Sequence, residues 1–241
     1  MRALGGLVIA AALAVLTPAT VRAQAAPDYA AIIAASDRSE ADRKTDERRE
    51  PVKVLAFTGA KPGMKVLDMG AGGGYSTEMM ARAVTPGGTV YAQNGAASEN
   101  FTKRAEGPAM KGVESLIRPF DDPTPPEVKD LDLITFFYAY HDTTFMPVDR
   151  AKMNKRLFEA LKPGGVLVVA DHSAKPGDGA NVGKTLHRIE EATLKQEVEA
   201  AGFKLVASGD FLKHPEDPRD KPVFRPAVPV DEFILKFEKP R

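Results

Sequence analysis

In this 241-residue chain the segment best equipped for chemistry is Asp68-Met69-Gly70-Ala71-Gly72-Gly73-Gly74-Tyr75. Glycines allow tight backbone turns and let a ligand approach the main chain to van der Waals contact. A helix beginning just after such a loop offers unpaired amides and roughly half a positive charge, which suits a carboxylate or phosphate. A second cluster is Tyr138-Ala139-Tyr140-His141-Asp142. With an ordinary pKa of ~6.5, His141 can act as a general base, oriented by Asp142 or a neighbouring carboxylate. It suits equally well a loop position bonded to backbone. The ring of Tyr138 or Tyr140 can wall a cationic group through its π-face. Asp171-His172 could join His141 and Asp142 around a divalent cation, whereas His187, on an amphipathic stretch with Arg188 and Glu190, reads as structural.

These residues need a scaffold, and the pattern supplies one. Residues 27–50, rich in Asp, Arg, Glu and Ala, predict a solvated helix broken near Ser36 to Arg38, and Pro51 restarts a short helix through Phe57. Charges at Asp42, Arg43, Asp46 and Arg49 read as ion pairs on a helix surface; alternatively that helix folds over the ligand site as a lid. From Met64, short apolar runs alternate with helices. Strands are predicted at 65–69, 89–92, 113–117, 131–138 and 166–170, and helices at 77–83, 97–105 and 150–161. The wholly apolar runs after Leu131 and Val166 mark strands covered on both faces, and the alternation implies a parallel sheet with right-handed crossovers. A helix over 185–201 leads to strands at 203–208 and 233–237 with no helix between them, hence an antiparallel pair. Their connection, the proline-rich His214 to Pro229, is long enough to be functional or mobile.

Spacing separates the ligands such a loop can hold. A dinucleotide fingerprint requires glycine at its sixth place, where this chain has Tyr75, so a nicotinamide oxidoreductase is disfavoured. The glycines fall at 70, 72 and 74 behind Asp68. In this, and in Leu161-Lys162-Pro163-Gly164-Gly165-Val166-Leu167-Val168 and the closing hairpin, the sequence resembles the class I S-adenosylmethionine-dependent methyltransferases. The likeness covers most of Pro51 to Lys239. It implies an α/β, Rossmann-like, seven-stranded doubly wound sheet, mostly parallel with a C-terminal antiparallel hairpin, and S-adenosyl-L-methionine as cofactor. Gly70, Ala71, Gly72 and Gly74 would pass beneath that cofactor, and Asp68 would hold its ammonium or orient the loop. Tyr75 would pack at the loop or touch the cofactor. The resemblance places Gln93 and Asn94 at the ribose, where the family usually has an acid, and Asp121 or Asp122 at the adenine. Tyr138, His141 and Asp142 would face the reacting methyl. Some members bind magnesium near this point, but the ligands do not match residue for residue, and no metal is assigned.

Met1-Arg2, the 13-residue apolar run Leu4 to Leu16, the break at Thr17-Pro18 and Val21-Arg22-Ala23 form a secretory signal pattern. The run is shorter than the ~20 residues that span a bilayer. The expected organisation is therefore a signal peptide at 1–23, a helical lead-in at 24–62 and a catalytic domain at 63–241. The signal peptide and Tyr140-His141-Asp142 look like an exported group within the same family. The product would be periplasmic or secreted, without stable membrane insertion. With 33 basic and 33 acidic residues and no cysteine, the chain has neither a nucleic-acid footprint nor a thiol nucleophile. A small-molecule acceptor is expected. The rival expectation is a catalytically degenerate domain that keeps the fold for binding, because Gln93 is neutral and the cofactor is made in the cytoplasm.

Overall fold

The computed structural model describes Met1 and residues 27–224 and 226–241, so the signal-peptide segment lies outside the described residues. A seven-stranded sheet runs in the order β3-β2-β1-β4-β5-β7-β6. Its strands are β1 (Lys65–Met69), β2 (Thr89–Asn94), β3 (Val113–Ile117), β4 (Leu131–Phe137), β5 (Leu161–His172), β6 (Lys204–Gly209) and β7 (Glu232–Glu238). The first five are parallel. β7 then inserts antiparallel between β5 and β6, in register from Val166↔Glu238 to His172↔Glu232. This is the architecture expected from the sequence.

Both faces are covered, as the continuous apolar strands require. On one face Val66, Val90, Leu133 and Val168 pack with Val54, Leu55, Met79 and Met80 from α3 (Pro51–Thr58) and α4 (Tyr75–Val84). On the other, Leu67, Phe136, Leu167 and Val169 pack with Met153 and Leu157 of α6 (Arg150–Ala160) and Leu194 and Val198 of α8 (Glu191–Ala200). The remaining helices are α1 (Tyr29–Ala34), α2 (Glu40–Arg49), α5 (Glu99–Ala105) and α7 (Gly183–Leu186).

Two local expectations are revised. The helix foreseen over 185–201 is two pieces. α7 ends at His187, whose φ of 53° stops it, and α8 starts only at Glu191. β5 is longer than its apolar run, because Lys162-Pro163-Gly164-Gly165 joins the strand and Leu161 pairs with Leu131. Neighbour order reverses between β1 and β4, so the crevice for a ligand opens at their carboxyl ends.

Candidate functional site

The loop after β1 turns through positive φ at Gly70 (63°) and Gly72 (56°). A side chain at Gly70 would place its Cβ 2.9 Å from that of Ala139, so the loop needs glycine there for space as well as for conformation. Side chains from below fix its shape. Gln93, fully buried, accepts from the Gly70 amide (3.0 Å) and donates to the Arg118 carbonyl (2.6 Å). Asn94 accepts from the Gly72 amide (2.8 Å) and donates back to the Gly72 carbonyl (3.3 Å). Asp68 is sealed from solvent and accepts from Ser76, Thr77 and Thr135 at 2.6–2.8 Å, tying the loop to α4 and β4. Burial pushes its carboxyl above the usual range.

These contacts correct the ribose assignment for Gln93. Both ends of its amide are engaged by backbone and none of it reaches solvent, so it cannot also hold a diol. Asn94 is likewise committed to Gly72. Of the two roles open to Asp68, the geometry supports orienting the loop. Asp121 faces Lys152 (3.3 Å), while Asp122 pairs with Arg118 and Arg156; neither lines a cavity described below.

A cavity of about 250 Å³ lies over Gly70 and Ala71, walled by Tyr75, Ser76, Met79, Tyr138 and, from α2, Thr45 and Arg49. The lead-in therefore forms a wall of the site. Its charges are not the local surface pairs expected from their spacing. Asp42 takes a bidentate bond from Arg104 (2.7 and 2.8 Å), which also reaches Glu78 and the Gly73 carbonyl. Asp46 accepts from Arg38 (2.5 and 2.9 Å) and from the Tyr75 hydroxyl (2.6 Å). Helix periodicity shows which residues share a face but not what that face meets, so these partners were not readable in advance.

Arg49 stacks its guanidinium 3.2 Å from the ring centroid of Tyr138, and its Nη1 is enclosed without a hydrogen-bond partner among the described residues. Tyr138 follows β4 in a left-handed conformation (φ 57°), its amide held by the Ala170 carbonyl and its hydroxyl donating to Glu232 (2.7 Å). Burial and the Glu232 carboxylate keep that hydroxyl protonated well above its ordinary pKa. Arg49 also lines a second cavity of about 730 Å³, together with Arg48, His172, His214, Phe224 and Glu232. Here the proline-rich connection from His214 to Pro229 finds its role as a wall. Glu232 and His172, 3.4 Å apart, face this space. Sequence reasoning missed Glu232 and Arg49; each is one charge among many until the fold brings it beside Tyr138.

His141 opens a 3₁₀ turn, His141–Thr144, and is buried. Its Nδ1 lies 2.6 Å from Asp171 and its Nε2 lies 3.2 Å from Asp142. Burial alone would lower its pKa, but Asp171 and Asp142 outweigh burial and hold it at about 9. An imidazole protonated at neutral pH is no base, and His141 lines neither cavity, so the general-base role foreseen for it is withdrawn. Asp171 orients this ring, and Asp142 flanks it. Tyr140 is also buried, bonded to Glu197 and Asn154, and braces α6 against α8.

An open α/β sheet with a glycine loop at its switch point and a closing antiparallel hairpin defines a cofactor-binding domain of Rossmann-like type. The comparison with known proteins makes the class definite. A family model described as a methyltransferase domain matches residues 42–208, and the chain belongs to that family. Over 119 residues it is 30% identical to the protein-L-isoaspartate O-methyltransferase of Aeropyrum pernix, a stretch covering 48% of this chain and 42% of that protein. The chain thus spans less than half the length of that relative. A S-adenosylmethionine-dependent methyltransferase from Aquifex aeolicus has the same fold, with a TM-score of 0.60 and 21% identity over 87% of this chain and 97% of that one. So has the 1,6-didemethyltoxoflavin-N1-methyltransferase of Burkholderia thailandensis, solved with bound 1,6-didemethyltoxoflavin and S-adenosylhomocysteine, with a TM-score of 0.59 and 20% identity over 92% and 94%.

Proposed function

We propose that this chain is an exported S-adenosylmethionine-dependent methyltransferase that acts on a small molecule. One observation carries the reading: Arg49, on the wall of a cavity floored by Gly70 and Ala71, has an enclosed guanidinium N–H with no hydrogen-bond partner among the described residues. A buried donor without a partner is costly, and a charged ligand that completes it recovers ~1.5–3 kcal/mol. The cofactor's carboxylate is such a ligand, and the amino end of α4 beside it favours the same charge. The residues therefore fit the amino-acid end of the cofactor. Gly72 and Gly95 are exposed beside the loop, and the adenosyl end would lie along them.

When bound, S-adenosylmethionine supplies an electrophilic methyl on a sulfonium; the chain's residues do the rest. Arg49, common to the walls of both cavities, and the loop hold one end of the ligand, and Tyr138 walls the smaller cavity. Glu232 and His172, at the floor of the larger cavity, are placed to accept the proton of an acceptor hydroxyl or amine. That cavity falls in the size range of small-molecule sites, and the Burkholderia enzyme's small acceptor supports the same choice. Alignment alone supplies much of the rate in such a transfer. Export follows from the signal pattern of residues 1–23. Among the described residues no helix is long and apolar enough to cross a membrane.

Calorimetric titration of the purified protein with S-adenosylmethionine and S-adenosylhomocysteine tests the reading. Saturable one-site binding, weakened in Arg49→Ala, is expected; no heat and no thermal shift at millimolar ligand refutes it. The alternative, a binding domain without turnover, is favoured by the engaged, neutral Gln93 and Asn94 and by the cytoplasmic origin of the cofactor. It is distinguished by tight binding of both ligands without any methylated product from a panel of phenols and amines.

A further inference from the structure

We infer that His141, Asp142 and His187 form a binding site for a divalent transition-metal ion of the zinc type, with one or more coordination positions open. The inference is independent of the methyl-transfer reading. Three donor atoms converge: His141 Nε2 and His187 Nδ1 lie 3.2 and 3.4 Å from the same oxygen, Asp142 Oδ1, and all three lie within 4.8 Å of one another. Metal–ligand bonds of ~2.0–2.1 Å in tetrahedral geometry put neighbouring donors about 3.3 Å apart. Both separations match that edge. Asp142 Oδ1 is enclosed and, apart from these two ring nitrogens, meets no hydrogen-bond donor among the described residues, so it is held only by protons on the imidazoles, which a bound ion would displace. Two imidazoles and one carboxylate, with no thiolate anywhere in the chain, are the donor set of open zinc and ferrous sites.

The surroundings hold the donors in place. His141 Nδ1 is bound by Asp171 at 2.6 Å, leaving Nε2 to face Asp142 and His187. A carboxylate behind a ligating imidazole fixes its orientation and raises its basicity. Asp171 is fully buried and also accepts from the amides of His141 and His172, both at 2.8 Å, so it serves as this support and not as a ligand. For the same reason the neighbouring set His141, Asp171 and His172 is the weaker alternative, since His172 also points its Nδ1 at the His187 carbonyl (3.1 Å). His187 reaches the cluster through a strained backbone: its φ of 53° is left-handed, a conformation that non-glycine residues rarely adopt. Gly183, four residues earlier, permits the approach, because a Cβ there would stand 2.8 Å from the His141 carbonyl. Phe145 and Phe224 flank the His187 ring, with Phe224 on the wall of the larger cavity. An ion here would sit beside the acceptor space, where its charge could bind an acceptor oxygen.

The test uses the full mature protein, stripped with a chelator and titrated with Co²⁺ under visible absorption, then with Zn²⁺ by calorimetry. One equivalent of Co²⁺ should give a ligand-field spectrum that Zn²⁺ displaces. His187→Ala and Asp142→Ala, each checked for native circular dichroism, should abolish it, and Asp171→Asn should weaken Zn²⁺ binding 10–100-fold. Absence of a spectrum and of Zn²⁺ heat in the unmodified protein overturns the inference, as does binding that survives His187→Ala. In the first case the short contacts are those of an imidazolium between carboxylates. Titrating the same samples with S-adenosylmethionine separates the two readings: metal without cofactor sinks only the methyl-transfer proposal, and cofactor without metal sinks only this one.

Discussion

Gln93→Glu replaces one amide nitrogen by oxygen, and the structure turns that small change into a pH-dependent loss of stability. The side chain is fully buried, with Oε1 on the Gly70 amide and Nε2 2.6 Å from the Arg118 carbonyl. An ionised carboxylate there would set oxygen against oxygen with no water to intervene, so the introduced carboxyl must keep its proton and donate it to Arg118. Its folded pKa is therefore raised above the ordinary ~4.3. Below that value both folded and unfolded chains are protonated and the substitution costs little. As pH rises, the unfolded chain releases its proton first, and stability falls until the folded pKa is reached. A folded pKa near neutrality corresponds to roughly 3–4 kcal/mol at pH 7, at ~1.36 kcal/mol per unit. For a domain of this size that is about 6–15 °C in Tm. Differential scanning calorimetry of variant and parent should show nearly equal Tm at acid pH and the full gap above neutrality. A variant of unchanged Tm at pH 7.5 that binds S-adenosylmethionine more tightly would mean that Gln93 faces the cofactor, and the account of the loop would be wrong.

Arg49→Ala should lower affinity for S-adenosylmethionine by about 10–100-fold, the loss of ~1.5–3 kcal/mol for a charged hydrogen bond, while Tm moves little; Arg49→Lys, lacking the planar fork, should recover only part, by calorimetry. Gly72→Val places a β-branched residue at φ 56° with open space above it, so binding should vanish while the domain stays folded in circular dichroism. Glu232→Gln keeps an acceptor for the Tyr138 hydroxyl but cannot take a proton, so it should reduce kcat with an identified acceptor and leave cofactor affinity within about twofold.

The sheet was legible because its signals are local. Buried strands such as Leu131–Phe137 are apolar throughout, and Pro163-Gly164 and the Gly70 loop punctuate the chain where elements change. The division of 185–201 into α7 and α8 was not legible, because His187 adopts φ 53° without being glycine or asparagine, and that conformation is imposed by packing against the His141 turn. The site was legible in part. Gly70, Ala71, Tyr75 and Tyr138 do border a cavity, as their positions at strand ends implied, whereas Gly72 does not line it. Gln93 and Asn94 were assigned to the ribose because they end β2; that they turn beneath the loop depends on the backbone donors of Gly70 and Gly72, which no side-chain pattern reveals. His141 looked like a base because a free imidazole titrates near neutrality; Asp171, thirty residues away, changes its protonation.

Arg104 shows how the lead-in and the loop depend on each other, and it yields the last prediction. Its guanidinium joins Asp42 on α2, Glu78 on α4 and the Gly73 carbonyl, at 2.6–2.8 Å. One cation therefore ties the wall that carries Arg49 to the loop that floors the cavity. Arg104→Ala leaves Asp42 and Glu78 facing each other without a counter-charge. Breaking a buried pair costs ~3–5 kcal/mol, but Arg104 is about one-fifth exposed, so solvent screening reduces this to roughly 1–3 kcal/mol. The effect on binding should be larger than on folding, because α2 is polar, has little apolar surface of its own, and relies on Asp42 and Asp46 for its placement. Limited proteolysis should cut between 27 and 50 in the variant and spare the core. Cofactor affinity should fall as far as in Arg49→Ala, although Arg104 does not line the cavity. If the segment remains protected and affinity is unchanged, α2 is held by other contacts, and the site does not depend on this cation.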